Sequence, residues 1–286
     1  MSHKLTPPHF LLYEDVIRRA LREDLGEAGD LTTEAVVPPN LEVRALISTR
    51  SAGRIAGVDV ATSVFRLLDP EIEPLVKLYD GSDAQSNDLV VAFHGQARAL
   101  LSGERSALNI LGHLCGIATA TREVVEAVRE TSVKVVCTRK THPGLRTLEK
   151  YAVRVGGGFN HRFGLDDAVL IKDNHLALSG GVRQAVESVR KTIGHTLKIE
   201  VEVGTLEQLE EAIELKVDAV LLDNMTPVQV EAAVRMANRR VVLEVSGGIT
   251  KENAARLAAS GVDILSVGWL THSAPALDLA CELVAS

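Results

Sequence analysis

Residues 198–268 contain KIEVEV (198–203), AVLLD (219–223), VVLEVS (241–246) and ILSVG (264–268), short aliphatic runs separated by stretches with helical spacing. Short apolar runs bounded by turn signals read as buried strands, and strands alternating with helices require parallel pairing. Two upstream runs, VKVVCT (133–138) and AVLIK (168–172), extend the series to six. Six such units predict a parallel sheet closed, or nearly closed, into a (β/α) barrel. A polar group stands at the carboxyl end of every run: Thr138, Arg139 and Lys140; Lys172; Glu202; Asp223; Ser246 with Gly247 and Gly248; and Gly268. In a barrel those ends share one mouth, so two cationic, two carboxylate and two glycine-containing ends are expected to face it.

Upstream, the spacing predicts a helix over 12–25, a half-buried strand over 41–49, a helix over 58–68 and strands over 75–79 and 89–101. Strands and helices interleave there without a strict repeat, which predicts an N-terminal α+β sandwich domain. The expected division is 1–116 for that domain and 117–273 for the barrel. Cys115-Gly116 is read as a break before a separate helix over 118–129, and a last helix over 274–286 is expected to pack back on the first domain.

Charge is distributed unevenly. Between Arg139 and Lys172 stand Arg139, Lys140, Arg146, Lys150, Arg154, Arg162 and Lys172 against Glu149, Asp166 and Asp167, while the whole chain carries a formal charge of -7. Cations concentrated locally in an acidic protein suit a small, highly charged guest; nucleic acid or an anionic membrane would need a broad basic face. The three cysteines are widely spaced with no CxxC pair, so neither a disulfide framework nor a thiolate zinc site is expected. The N-terminal residues have no signal-peptide run and no window reaches membrane-span length, which places the expected location in the cytoplasm.

Each candidate also has a plain structural reading. Arg146, Lys150 and Arg154 recur every four residues, as on a solvated helix face with Glu149 pairing locally. Glu202 and Asp223 are equally suited to capping the helices that follow and to holding a hydrated Mg²⁺. The glycines at 247, 248 and 268 fit phosphate-cradling loops or ordinary left-handed turns, and Gly156-Gly157-Gly158 is a flexible or close-approach loop before His161 and Arg162. His142, His175 and His272 are read as structural.

The strings LREDLGEAGDLTT (21–33), GERSALNILGHLCGIAT (103–119), TRKTHPGLR (138–146), EKYAV (149–153), GGGFNHR (156–162), LIKDNH (170–175), IEVEV (199–203), LLDN (221–224), SGGIT (246–250), GVDILSVG (261–268) and LTHS (270–273) together resemble quinolinate phosphoribosyltransferase over nearly the whole chain. The resemblance implies transfer of phosphoribosyl from phosphoribosyl pyrophosphate to quinolinate, with loss of CO₂ and with Mg²⁺, in de novo NAD synthesis. It implies Thr138, Arg139, His161, Arg162 and Lys172 around the two substrate carboxylates, with Arg105 supplied by the other subunit of a homodimer that shares its active sites. It further implies Lys140, Glu202 and Asp223 as catalytic, Glu202 and Asp223 as the metal site, and Ser246, Gly247, Gly248 and Gly268 toward phosphate. Cys115, Cys137 and Trp269 depart from the family pattern at positions that carry no transferred role. Three other readings compete: a Schiff-base lysine at Lys140 or Lys172, a close relative with changed substrate such as a nicotinate-specific or molybdenum-transport-associated homologue, and a non-enzymatic phosphate-binding or scaffold protein on the same fold.

Overall fold

The computed structural model describes residues 5–285. In chain order the first elements are α1 (Glu14–Leu25), α2 (Leu31–Val36), β1 (Glu42–Thr49), β2 (Gly53–Arg54), α3 (Val58–Leu68), β3 (Glu73–Val76), β4 (Asp83–Ala84), β5 (Leu89–Gln96), α4 (Ala97–Ala127), β6 (Lys134–Val136) and α5 (Arg146–Val155). They are followed by β7 (Val169–Ile171), α6 (Asp173–Ser179), α7 (Val182–Thr192), β8 (Ile199–Val203), α8 (Leu206–Glu214), β9 (Ala219–Asp223), α9 (Pro227–Ala237), β10 (Val242–Ser246), α10 (Lys251–Ala259), β11 (Ile264–Ser266), α11 (Trp269–His272) and β12 (Leu279–Ala285). Two compact units result, one built from residues 5–122, 141–157 and 270–285, the other from 123–140 and 158–269.

The first unit holds an antiparallel sheet in the order β12-β1-β5-β3 and a small β2-β4 ribbon. Alternation along β1 buries Val43, Ala45, Ile47 and Thr49, the period-two signature of a sheet with one covered face. Phe65 of α3 and Phe93 of β5 pack in the core with ring centroids 4.7 Å apart and planes tilted by 53°. Asp80 anchors the start of α3 by accepting the Gly57 and Val58 amides at 2.7 and 3.1 Å. It also accepts the Tyr151 hydroxyl of α5 at 2.7 Å.

The second unit is a six-stranded sheet in the order β6-β11-β10-β9-β8-β7, parallel at every pairing. β6 and β7, neighbours in the chain, are the two edges, so the barrel is open between them. One bridge sits at that opening: Phe159 donates its amide to Val135 at 2.8 Å and accepts the Cys137 amide at 3.1 Å. The segment carrying His161 and Arg162 therefore runs beside β6 in place of a regular strand.

The strand expected over 89–101 ends at Gln96, where α4 begins at Ala97, and three further sequence expectations change. The break at Cys115-Gly116 does not exist, because α4 runs unbroken from Ala97 to Ala127. Glycine is needed at 116 for close approach: a β-carbon there would lie 2.1 Å from the Pro275 carbonyl oxygen. Within the expected helix over 274–286, residues 279–285 form the strand β12, which joins the first unit by pairing with β1 from Thr49↔Leu279 to Val43↔Ala285, and Ser286 lies outside the described residues. Finally, α5 is not a solvated face: Glu149 and Lys150 are buried along with Leu148, Tyr151, Ala152 and Val153, and the helix belongs to the first unit.

Candidate active site

Parallel pairing brings the polar ends of the six strands to one end of the second unit. Register fixes the neighbours: Ser246 is opposite both Asp223 and Ser266, and Glu202 is opposite Leu221. On β8 the alternation is strict. Ile199, Val201 and Val203 are buried on one face, while Glu200 and Glu202 share the other.

The cationic side is built on irregular backbone. After β6 the Thr138 hydroxyl accepts the Lys140 amide at 3.0 Å, a local turn that sets the Thr138–Arg139–Lys140 segment. Arg162 donates from Nη1 to the Ala168 carbonyl at 2.8 Å. The Nε groups of Arg139 and Arg162 are buried with no hydrogen-bond acceptor. Burial first, and then the Arg139 charge, press the Arg162 pKa down, with Glu200 and Asp167 opposing. Two guanidiniums with unmet donors suit an anion able to accept from both. Lys172, at the end of β7, lies 3.1 Å from Glu202 Oε2, and its amide is held by His175 Nδ1 at 2.9 Å at the start of α6.

The anionic side follows β8 and β9. Glu202, Asp223, Asp173 and Gln208 line a cavity of about 350 Å³. Asn224 donates to Asp223 Oδ2 at 3.0 Å, and its amide bonds to the Ser246 carbonyl at 3.0 Å. Beside it, Gly247 has φ +99°, and a β-carbon there would lie 2.0 Å from Asn224 Oδ1, so both conformation and space demand glycine. Trp269 donates its indole N–H to the Ile249 carbonyl at 2.9 Å, tying the loop after β11 to the loop after β10. The structure thus brings together in one unit Thr138, Arg139, Lys140, His161, Arg162, Lys172, Glu202, Asp223, Ser246, Gly247, Gly248 and Gly268. Arg105 belongs to the other unit, where it is exposed on α4.

Two carboxylates were missed by reading strand ends alone. Glu200 Oε2 lies 3.1 Å from His161 Nε2, and Glu244 Oε1 lies 3.6 Å from the same atom. Glu244 is 2 % exposed. Burial, followed by the Glu200 charge, raises its pKa to about 7, with His161 and Ser266 opposing. The available signal was an acid in the middle of an otherwise aliphatic strand, twice: IEVEV and VLEVS.

A second histidine–carboxylate cluster lies in the first unit. Glu149, fully buried, accepts from His113 Nε2 at 2.9 Å, His142 Nδ1 at 2.7 Å and the His142 amide at 3.1 Å. Its acceptors are occupied by N–H donors, so it is complete as a hydrogen-bonded clamp. Cys115 is buried, its thiol pushed up to about 12 by desolvation, and is chemically quiet.

Comparison with known proteins identifies the family. Residues 30–115 match the family described as Quinolinate phosphoribosyl transferase, N-terminal domain, and residues 117–282 match its C-terminal domain. A nicotinate-nucleotide pyrophosphorylase [carboxylating] of Mycobacterium leprae is 47% identical over 277 residues, covering 94% of this chain and 96% of the relative. A probable enzyme of the same name from Bacillus subtilis is 42% identical over 264 residues, covering 92% and 91%. The solved NadC of Streptococcus pyogenes superposes with a TM-score of 0.94 at 40% identity, covering 98% of this chain and 99% of that one.

Proposed function

The chain belongs to the quinolinate phosphoribosyltransferase family, and from that premise we propose that it transfers phosphoribosyl from phosphoribosyl pyrophosphate to quinolinate with decarboxylation. The products are nicotinate mononucleotide, pyrophosphate and CO₂, a step of NAD synthesis. The observation that supports this reading is the pair of half-buried arginines, Arg139 and Arg162, each with a buried Nε that has no acceptor. A planar dianion with adjacent ring carboxylates supplies what they lack.

In this reading Arg139, Arg162, Lys172 and Thr138 hold the two carboxylates, with His161 beside them, and fix the ring nitrogen toward the ribose. The backbone amides at Ser246, Gly247, Gly248 and Gly268 cradle phosphate, and Lys140 faces the departing pyrophosphate. Glu202 and Asp223 face the ribose, where positive charge develops as the bond to pyrophosphate breaks. Their hard oxygen donors, on a roomy cavity shared with Asp173, also fit a hydrated divalent cation, since Mg²⁺ keeps several waters and needs only one or two protein carboxylates. When bound there, Mg²⁺ would offset the charge of the diphosphate. After transfer the ring nitrogen is cationic, and it stabilises the carbanion left as the adjacent carboxylate departs as CO₂. Arg105 completes the site from the second subunit of a homodimer.

The test is a coupled assay of quinolinate consumption and pyrophosphate release, with phosphoribosyl pyrophosphate and Mg²⁺ each present or omitted. Both signals are expected only with all components together. Binding of quinolinate without pyrophosphate release, or equal turnover with nicotinate, would overturn the assignment.

A further inference from the structure

We infer that Glu200 is a positioning residue for the substrate-carboxylate subsite, acting through the His161 ring on Arg162. The inference rests on the reading above, in which Arg162 holds a carboxylate of quinolinate.

The hydrogen bonds of one imidazole carry it. His161 Nδ1 accepts the Arg162 backbone N–H at 2.7 Å. A nitrogen that accepts carries no hydrogen, so a neutral ring has its single hydrogen on Nε2. Nε2 faces Glu200 Oε2 at 3.1 Å, and Glu200 is the acceptor. In that tautomer Nε2 offers no lone pair to a metal, although the ligand atoms of His161, Glu200 and Glu244 lie within 4.8 Å of one another. A metal-bound imidazole needs a free lone pair on the coordinating nitrogen and donates from the other. Here the other nitrogen accepts.

The ring is therefore a strut. One end stands on Glu200, inside a regular strand; the other holds the amide next to the Arg162 guanidinium. Arg162 needs such support because, among the described residues, its segment carries a β-bridge to β6 at Phe159 and is not a strand of the sheet. A bidentate donor on irregular backbone binds well only if that backbone is held to within about half an ångström. Glu200 lies on the same face of β8 as Glu202 but one pleat repeat earlier, so it supports the carboxylate subsite from below. No proton transfer is asked of it, and any side chain that accepts from Nε2–H should serve.

The discriminating measurement is steady-state kinetics of Glu200→Ala and Glu200→Gln, varying quinolinate and phosphoribosyl pyrophosphate separately. Glu200→Ala is expected to raise the quinolinate KM about ten-fold while the KM for phosphoribosyl pyrophosphate stays within about two-fold. Glu200→Gln, which keeps an acceptor, is expected to restore the quinolinate KM. An unchanged quinolinate KM in Glu200→Ala, equal impairment of both variants, or a joint rise of both KM values would overturn the inference. Nitrogen-15 NMR of the ligand-free wild-type protein gives a second readout, independent of activity: the Nε2–H tautomer at His161 supports the strut, and the Nδ1–H tautomer overturns it. A wild-type protein without quinolinate-dependent pyrophosphate release would defeat the functional reading, while the NMR result would still decide the strut.

Discussion

The Lys172 ammonium lies 3.1 Å from the Glu202 carboxylate, joining the end of β7 to the neighbouring strand β8. The pair is half open, with side-chain exposures of 47% and 12%, so its net stabilisation is at most about 1 kcal/mol. Its importance is to function: it holds a cation proposed for one substrate beside a carboxylate proposed for the other. Glu202→Gln is therefore expected to lower turnover about 100-fold while shifting Tm by only about 2 °C. Asp223→Asn and Lys140→Ala should behave alike. Pyrophosphate release measured beside a thermal melt decides it, and wild-type turnover in these variants would remove the assigned roles.

Glu244 gives stability a pH dependence of unusual sign for a carboxylate. Burial first and then the nearby Glu200 charge disfavour ionisation, pushing its carboxyl from the ordinary 4.5 up to about 7 in the folded protein. Between those values the folded state binds more protons than the unfolded, so this group's contribution falls as pH rises from about 4.5 through about 7 and is then level. Glu244→Gln, which resembles the protonated form, should remove that slope. Urea unfolding of both proteins at pH 5 and pH 8 measures it; an identical pH dependence would refute the assignment to Glu244.

The Tyr151–Asp80 contact predicts a purely structural effect in the first unit. Asp80 is half-buried, desolvation raises its pKa, and its carboxylate is held by the Gly57 and Val58 amides and the Tyr151 hydroxyl. Tyr151→Phe removes one of three donors and should lower stability by about 1–3 kcal/mol. Denaturant midpoints check this; a change under about 0.3 kcal/mol would mean that water replaces the hydroxyl.

The proposed contribution of Arg105 from a second subunit predicts complementation. Arg105→Ala and Lys140→Ala proteins should each be folded and nearly inactive. Mixing them after dissociation and reassociation should restore part of the activity, because some mixed dimers then carry one intact site. Absence of any rescue, with mixed dimers demonstrated by mass spectrometry, would place Arg105 outside the neighbouring site.

Much of this was legible in the chain because strand ends obey a simple rule. All six barrel strands and the polar residues at their ends follow from apolar runs and turn signals, without tertiary information. The errors came where tertiary contact overrides local pattern. Gly116 resembles a helix stop, yet it keeps α4 continuous past Pro275. Residues 279–285 have helical composition but pair with β1. Glu149 and Lys150 resemble a solvated helix face, yet His113 and His142 enclose Glu149 in partners more than thirty and only seven positions away. Glu200 and Glu244 stand away from the strand ends, and their partner His161 is 39 and 83 positions away in the chain, so local pattern does not mark them.

The pairing of β12 with β1 also bears on how the protein is made. β1 is among the first strands to leave the ribosome, but its outer neighbour follows every strand of the parallel sheet. Translation order therefore lets the second unit assemble its complete sheet while the first still exposes the backbone groups of β1 along one edge. The earlier-made unit is the later one to finish, and until β12 arrives that bare edge is where a nascent chain of this protein is most open to pairing with another.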